Sequence, residues 1–313
     1  MDKIAVVGAG MVGRAWAIVF ARAGLDVGLY DPDGRAVQDA LLKIALAVQD
    51  LATEQLIDEE PTAVLARITA GTSLPAALKG AIHVQENGPE DVEVKKRIYA
   101  EVDALTAPGV PIASSTSGIK ASAFSADLPG RARCLVAHPV NPPSVVPLVE
   151  LAPAPWTEPD VVTRTRALME RVGQQPITVK KEIDGFILNR LQGALLNEAL
   201  KLIADGYVST EDLDKTVKHG LGLRWSFMGP METIDLNAPG GLPDYAKRYG
   251  PIYHQVNKES VSRDWDEKLF GQAVADRRAT LPMEQHAARQ AWRDRRLMAL
   301  ARQKKQAAKE IGD

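Results

Sequence analysis

One cysteine in 313 residues excludes two kinds of architecture. Cys134 has no partner for an internal disulfide, and no cysteine-based metal site can be assembled. Its place in the apolar run CLVA marks it as a buried core thiol. The five histidines (His83, His138, His219, His254 and His286) never fall at the i, i+4 spacing of a helical zinc pair, so no metal is expected. Long hydrophobic runs are missing too: no stretch approaches the roughly 18 apolar residues of a membrane span. Neither sign of charge dominates. Lysine plus arginine number 38, aspartate plus glutamate 40, and the net charge of -2 argues against a nucleic-acid or anionic-membrane partner. The opening MDKIAVVGAG carries no signal-peptide cleavage pattern, and with a lone cysteine the expectation is a cytoplasmic protein.

What is present is an ordinary globular balance, 45% hydrophobic and 25% charged, at a length that suits two domains. The first half alternates β-rich runs with helical stretches. Strands are expected at Lys3 to Gly8, Asp26 to Tyr30, Ala81 to Gln85, Pro111 to Ser114 and Cys134 to Ala137, with Val145 to Leu151 and Ile177 to Val179 extending the sheet. Helices are expected at Val12 to Ala23, Arg35 to Leu56 and Val92 to Leu105. Strands separated by helices of this length predict a parallel sheet with right-handed crossovers, a Rossmann-type doubly wound α/β domain. After about Lys181 the pattern becomes helical. Phe186 to Asp205 reads as one amphipathic helix with Leu188, Leu191, Leu195, Ala199 and Leu202 on one face, and Met283 to Ile311 as a charged helix. The expected division is an α/β domain over 1–184 and an all-helical domain over 185–313.

Gly8-Ala9-Gly10-Met11-Val12-Gly13 is a G-x-G-x-x-G step that ends a strand and opens a helix. Gly8 permits the tight turn, Gly10 lets the backbone approach a pyrophosphate, and Gly13 lets helix and strand pack closely. Met11 and Val12 begin the helix, whose free N–H groups suit phosphate oxygens. Asp31 ends the second strand, where a carboxylate accepts ribose hydroxyls and repels a 2′-phosphate; NAD is therefore expected rather than NADP. A flavin would fit the same fingerprint.

Four further residues share the C-terminal rim of such a sheet: Ser117 in SSTS, His138 in HPVNPP, Glu150 in PLVEL and Asn189 in GFILNRL. Oxidising a secondary alcohol needs a base for the hydroxyl proton while hydride leaves carbon, and histidine suits that task. A carboxylate on its far nitrogen fixes the tautomer, and neutral donors orient the oxygen. His138 is the candidate base, Glu150 its partner, and Ser117 and Asn189 the donors.

These motifs resemble the 3-hydroxyacyl-CoA dehydrogenase superfamily over essentially the whole chain. The matching steps are GAGMVG, Glu86 to Glu90 with Lys95, Thr116-Ser117, His138 to Pro142, Glu150 and Gly185 to Arg190. The resemblance implies the same roles for His138, Glu150, Ser117 and Asn189, and places Glu86, Glu90 and Lys95 with the cofactor, Glu86 and Lys95 near the nicotinamide-side ribose. HPVNPPSVVPLVEL, EIDGFILNRLQ and GLGLRWSFMGPMETIDLNA are closer to the lambda-crystallin branch, whose enzymatic relatives are L-gulonate 3-dehydrogenases. CoA-using relatives usually carry an aromatic after the histidine and a lysine-rich hairpin after the second strand. Here Pro139 follows His138, and the corresponding stretch is shorter and acidic, with Lys43 alone. The resemblance therefore implies NAD-dependent oxidation of a small L-3-hydroxy acid. Arg224 is the candidate carboxylate ligand, or else a structural ion pair between subunits. Ser115 is a further substrate contact. The alternatives are an L-3-hydroxyacyl-CoA dehydrogenase, a carnitine dehydrogenase, and a non-catalytic NAD-binding protein of the crystallin kind. A quaternary ammonium calls for an aromatic cage, and with 5% aromatics no cluster is evident in the sequence. A homodimer formed through the helical domain is expected from the resemblance and from the apolar face of the long helix.

Overall fold

The computed structural model describes residues 2–312. They form eight strands, β1 (Lys3–Val7), β2 (Asp26–Tyr30), β3 (Ile68–Ala70), β4 (Ala81–Glu86), β5 (Ile112–Ser114), β6 (Cys134–Pro139), β7 (Leu148–Pro153) and β8 (Gln175–Thr178), in one sheet of order β3-β2-β1-β4-β5-β6-β7-β8. Six helices precede β6: α1 (Met11–Arg22), α2 (Gly34–Thr53), α3 (Pro61–Ala66), α4 (Leu74–Leu78), α5 (Val92–Leu105) and α6 (Ala121–Ser125). α7 (Pro159–Arg171) links β7 to β8. The order runs outward in both directions from β1 and β4, so the ends of these two strands open the crevice in which doubly wound folds bind ligands.

Two findings differ from the sequence expectation. β3 escapes detection because it is a three-residue edge strand, ITA, with only Ile68 buried. More consequentially, β7 runs antiparallel to β6, while β8 is again parallel to β7. The reversal follows from the short, proline-rich link Val140 to Pro147, which is too short for a helical crossover. Its register sets His138 directly opposite Glu150.

The sheet separates two apolar layers. Trp16, Val19 and Phe20 of α1, Val37, Ile44 and Val48 of α2, and Val161, Leu168 and Met169 of α7 cover one face. Tyr99 and Val102 of α5 and Phe124 of α6 cover the other. Cys134 is buried there, as expected, and burial pushes its thiol up to about 12, with the nearby Asp103 charge adding to the shift.

The remainder is helical: α8 (Leu188–Ala204), α9 (Thr210–Thr216), a π-turn (Val217–Leu221), α10 (Gly222–Trp225), α11 (Pro230–Leu236), α12 (Gly241–Glu259), α13 (Glu267–Thr280) and α14 (His286–Ile311). The chain divides into two compact units. One runs through Asn189 and includes Arg296–Gln303; the other holds Arg190–Arg295 and the residues from Lys304 on. Met298 belongs to the first unit's core, and Arg302 pairs with Glu54 at 3.0 Å within that unit. α8 starts at Leu188, not Phe186. Its buried residues are Ala199, Leu200 and Ile203, whereas Leu191 is 64% exposed and Leu195 37%.

Candidate active site

The glycine step sits where β1 gives way to α1. Gly8 has φ +98°, and a Cβ there would stand 2.8 Å from the Asn87 carbonyl oxygen. A Cβ on Gly13 would lie 1.9 Å from the Gly8 oxygen. Both positions therefore exclude a side chain. At Gly10 a Cβ would meet nothing within 4 Å, which leaves open space at the loop tip. α1 begins without a side-chain cap, so its first-turn N–H groups stay available to an anion. Met11 is exposed and Val12 partly buried. Asp31 follows β2; its Oδ2 accepts from Ala9 N at 2.8 Å and its Oδ1 from Asp33 N at 3.0 Å. The carboxylate thus braces the glycine loop while keeping lone pairs for further donors.

On β6 and β7, His138 Nδ1 lies 2.8 Å from Glu150 Oε2, and both side chains are buried. Glu150 Oε1 accepts from the backbone N–H groups of Ile187 (2.9 Å) and Leu188 (3.0 Å), at the start of α8. Burial is the largest single influence and would raise this carboxyl. The His138 bond and the two backbone bonds together outweigh it, and the group titrates below its ordinary range. An ionised Glu150 accepts from Nδ1–H, which leaves a lone pair on Nε2. Nε2 makes no hydrogen bond among the described residues. Phe186, buried and left-handed at φ +49°, packs on His138 with centroids 5.6 Å apart. Such backbone is costly for a non-glycine residue and needs support from its surroundings, here supplied by the Glu150 bonds that follow it.

Ser117 and Asn189 meet directly, since Asn189 Nδ2 donates to the Ser117 carbonyl oxygen at 2.7 Å. Glu90 holds the same turn from the other side. Its Oε1 accepts from Thr116 Oγ1, from Ser117 N at 3.0 Å and from Gly118 N at 3.1 Å. Glu90 thereby positions the Ser117 turn.

Three sequence expectations need correction. Glu86 and Lys95 do not present themselves to a ribose. Both are buried, and Lys95 Nζ lies 3.1 and 3.0 Å from the two Glu86 oxygens, which also accept from Ser114 Oγ (2.6 Å) and Gly88 N. A buried ion pair with its lone pairs already filled braces the turn after β4. Ser115 is likewise spent: its hydroxyl donates to Asn87 Oδ1 (2.7 Å) and accepts from Trp16 Nε1 (3.0 Å) and Gln85 Nε2 (2.8 Å). No donor remains for a substrate. An aromatic cluster also exists after all. Tyr245, Tyr249 and Tyr253 stack along α12, with centroids 4.6 and 6.3 Å from Tyr245 and hydroxyls of Tyr245 and Tyr253 2.7 Å apart. The i, i+4, i+8 spacing of these tyrosines was the signal for it. Arg224, on α10, has no ion pair or side-chain hydrogen bond among the described residues.

Residues 3–183 match the family model of the 3-hydroxyacyl-CoA dehydrogenase NAD-binding domain, and residues 185–280 that of the 3-hydroxyacyl-CoA dehydrogenase C-terminal domain. The chain belongs to the 3-hydroxyacyl-CoA dehydrogenase family. The lambda-crystallin homolog of Bos taurus is 45% identical, covering 97% of this chain and 96% of that one. An L-carnitine dehydrogenase of Streptomyces coelicolor is 35% identical over 87% of this chain and 85% of its own. Among solved structures, 5-formyl-3-hydroxy-2-methylpyridine 4-carboxylic acid 5-dehydrogenase, described as an NAD+-dependent dismutase, superposes with a TM-score of 0.83 at 29% identity over 96% of this chain and 98% of that one. The protein is accordingly an NAD-dependent dehydrogenase acting on CH–OH groups. The residues present fit the cofactor, with close backbone approach at Gly10, uncapped N–H groups at Met11 and Val12, and a carboxylate at Asp31.

Sequence reasoning missed Gln85 and Asn87, and gave Thr116 no role of its own. Asn87 Nδ2 donates to Val7 O (3.3 Å) and Gln85 O (2.9 Å), fixing the strand end that carries Gly8. The available signal was the polar run Gln85-Glu86-Asn87 at the end of an apolar strand.

Proposed function

We propose that this dehydrogenase oxidises the 3-hydroxyl of a small L-3-hydroxy acid of the L-gulonate kind to the 3-keto acid. The observation that carries the proposal is the His138–Glu150 pair at 2.8 Å, with Nε2 left free to accept a proton. NAD+ supplies the hydride acceptor when bound. His138 Nε2 takes the hydroxyl proton, and Glu150 stabilises the imidazolium through Nδ1–H. Asn189 and Glu90 hold the Ser117 turn so that its hydroxyl orients the substrate oxygen.

A small acid is favoured over a CoA ester by the segment after β2. α2 carries Lys43 as its one lysine, and Lys43 is tied to Asp39 at 2.8 Å. The loop toward α3 adds acidic residues, Asp58 to Glu60, of which Glu59 is already held by Arg67, and no lysine. Arg224, with no ion pair among the described residues, is the proposed cation for a free carboxylate. A carnitine substrate is less well served, because the tyrosines of α12 form one row on one helix face and give a single wall, whereas a cage needs walls from several directions.

The helical unit is the proposed homodimer surface. Its buried apolar residues are few (Ala199, Leu200, Ile203, Ala238 and Leu269), and α12 buries none.

Substrate choice is tested by NADH formation with purified protein and NAD+, comparing L-gulonate, L-3-hydroxybutyrate, L-carnitine and L-3-hydroxybutyryl-CoA. A free hydroxy acid should exceed the CoA ester in kcat/KM by at least about a hundredfold, about 3 kcal/mol of transition-state stabilisation. A CoA ester that wins overturns the proposal.

A further inference from the structure

A cavity of about 310 Å³ opens away from the residues described above. It is lined by Ile82 and His83 at the start of β4, Pro111 before β5, and Arg164, Thr165, Leu168 and Arg171 on α7. These strand ends point opposite to the ends that carry the glycine loop and Ser117, so the cavity belongs to the other edge of the sheet.

Two of its lining residues are buried and incompletely bonded. Among the described residues His83 Nδ1 and Thr165 Oγ1 have no hydrogen-bond partner, although His83 is 1% exposed and Thr165 0%. An orphaned buried polar atom costs about 1–3 kcal/mol, so two on one cavity need a reason. The state of His83 follows from its neighbour. Gln85 Nε2 donates to Ser115 Oγ and to the Ala137 carbonyl oxygen, so Gln85 Oε1 faces His83 Nε2 at 3.1 Å and can only accept. Nε2 therefore carries the ring proton, and Nδ1 holds a bare lone pair that needs a donor.

The rest of the cavity is amphipathic. Ile82, Pro111 and Leu168 give it apolar walls, and Arg164 and Arg171 stand on the exposed face of α7. Arg164 bonds Asp160 (2.7 Å) and Gly109 O (2.8 Å) through Nε and Nη2, and Arg171 bonds Asp2 (2.6 Å) through Nη1. Each guanidinium keeps unspent N–H groups.

From His83 a hydrogen-bonded chain crosses the sheet face. It runs through Gln85 to Ser115 Oγ, then to Asn87, whose amide holds the Val7 carbonyl beside Gly8. One end is the unpartnered nitrogen of His83, a residue that lines the cavity, and the other is the loop expected to receive the cofactor.

We propose that this cavity is a second ligand site, for a small carboxylate bearing a hydroxyl group, and that its occupancy is felt at the glycine loop through His83, Gln85, Ser115 and Asn87. The hydroxyl donates to His83 Nδ1 and bonds Thr165 Oγ1, the carbon skeleton lies against Leu168 and Ile82, and the carboxylate meets Arg164 and Arg171. Polarisation along a buried chain of hydrogen bonds carries the effect. None of this depends on which substrate is oxidised.

The test uses the full-length protein with ¹⁵N-labelled histidine and glycolate as probe, which has no hydroxyl at carbon 3. His83→Gln identifies the His83 resonances, and those of His138 report the catalytic rim in the same spectrum. Glycolate should move the His83 Nδ1 resonance saturably, acetate should bind at least about tenfold more weakly, the scale of one hydrogen bond, and Thr165→Val should weaken glycolate similarly. Saturating glycolate should also change NADH affinity about fivefold or more in the wild type and leave Gln85→Met unchanged. A response confined to His138, no response at all, or equal binding of acetate overturns the site. Binding at His83 with unaltered NADH affinity overturns the link.

Discussion

Buried His83 gives the protein an acid-sensitive residue outside the His138–Glu150 pair. Burial holds its pKa down at about 4 against the ordinary 6.5, and the Gln85 bond only partly opposes the shift. Below pH 6.5 the unfolded chain takes up a proton that the folded chain refuses. Stability should therefore be full above pH 6.5 and decline as the pH falls toward 4, by about 3 kcal/mol in all. Urea unfolding at pH 7.5 and 4.5 should show a wild-type loss larger by about 2–3 kcal/mol than that of His83→Gln. Equal losses in the two proteins would contradict it. His138 and Glu150 were picked out by residue type at the strand ends together with the family order of the motifs, and the structure sets their side chains 2.8 Å apart. The buried roles of Glu86, Lys95 and Ser115 were not legible, since a polar side chain at a strand end looks the same in sequence whether it faces a ligand or a neighbour.

Among the elements, the β6–β7 hairpin does most to build the site. Its antiparallel register places His138 opposite Glu150, and Glu150 then holds the start of α8. The pairing of these residues was legible in the sequence, but the strand direction was not: both orientations bury the same alternating residues, and only the short link between them decides. α8 shows a comparable division. Its periodicity was correctly amphipathic, yet the N-terminal part of its apolar face stays uncovered in one chain, with Leu191 64% exposed. On the proposed dimer, in which a second copy covers that face, Leu191→Glu with Leu195→Glu should convert the dimer to a monomer in light scattering. A monomeric wild type, or a doubly substituted protein that stays dimeric, would contradict the assignment.

Across the whole molecule, the alternation of strands and helices up to β6 announced the doubly wound sheet and its ligand-binding rim, and the helical character of the rest was equally plain. The return of Arg296–Gln303 to the first unit was hidden, because the charged pattern of α14 masks the single buried contact of Met298. Cofactor preference is a property of this scaffold. Asp31 braces the glycine loop and is the expected ribose ligand, so Asp31→Ala should weaken NAD+ binding by at least about tenfold and NADP+ binding much less. Titration by fluorescence checks this, and an unchanged preference would remove Asp31 from the site.

In the proposed reaction His138, aligned by Glu150, takes the hydroxyl proton. Turnover by His138→Ala, measured together with its NADH affinity, tests it most directly. The account predicts a fall in kcat of at least about a hundredfold, with NADH binding nearly unchanged. Near-normal turnover in that variant would contradict it.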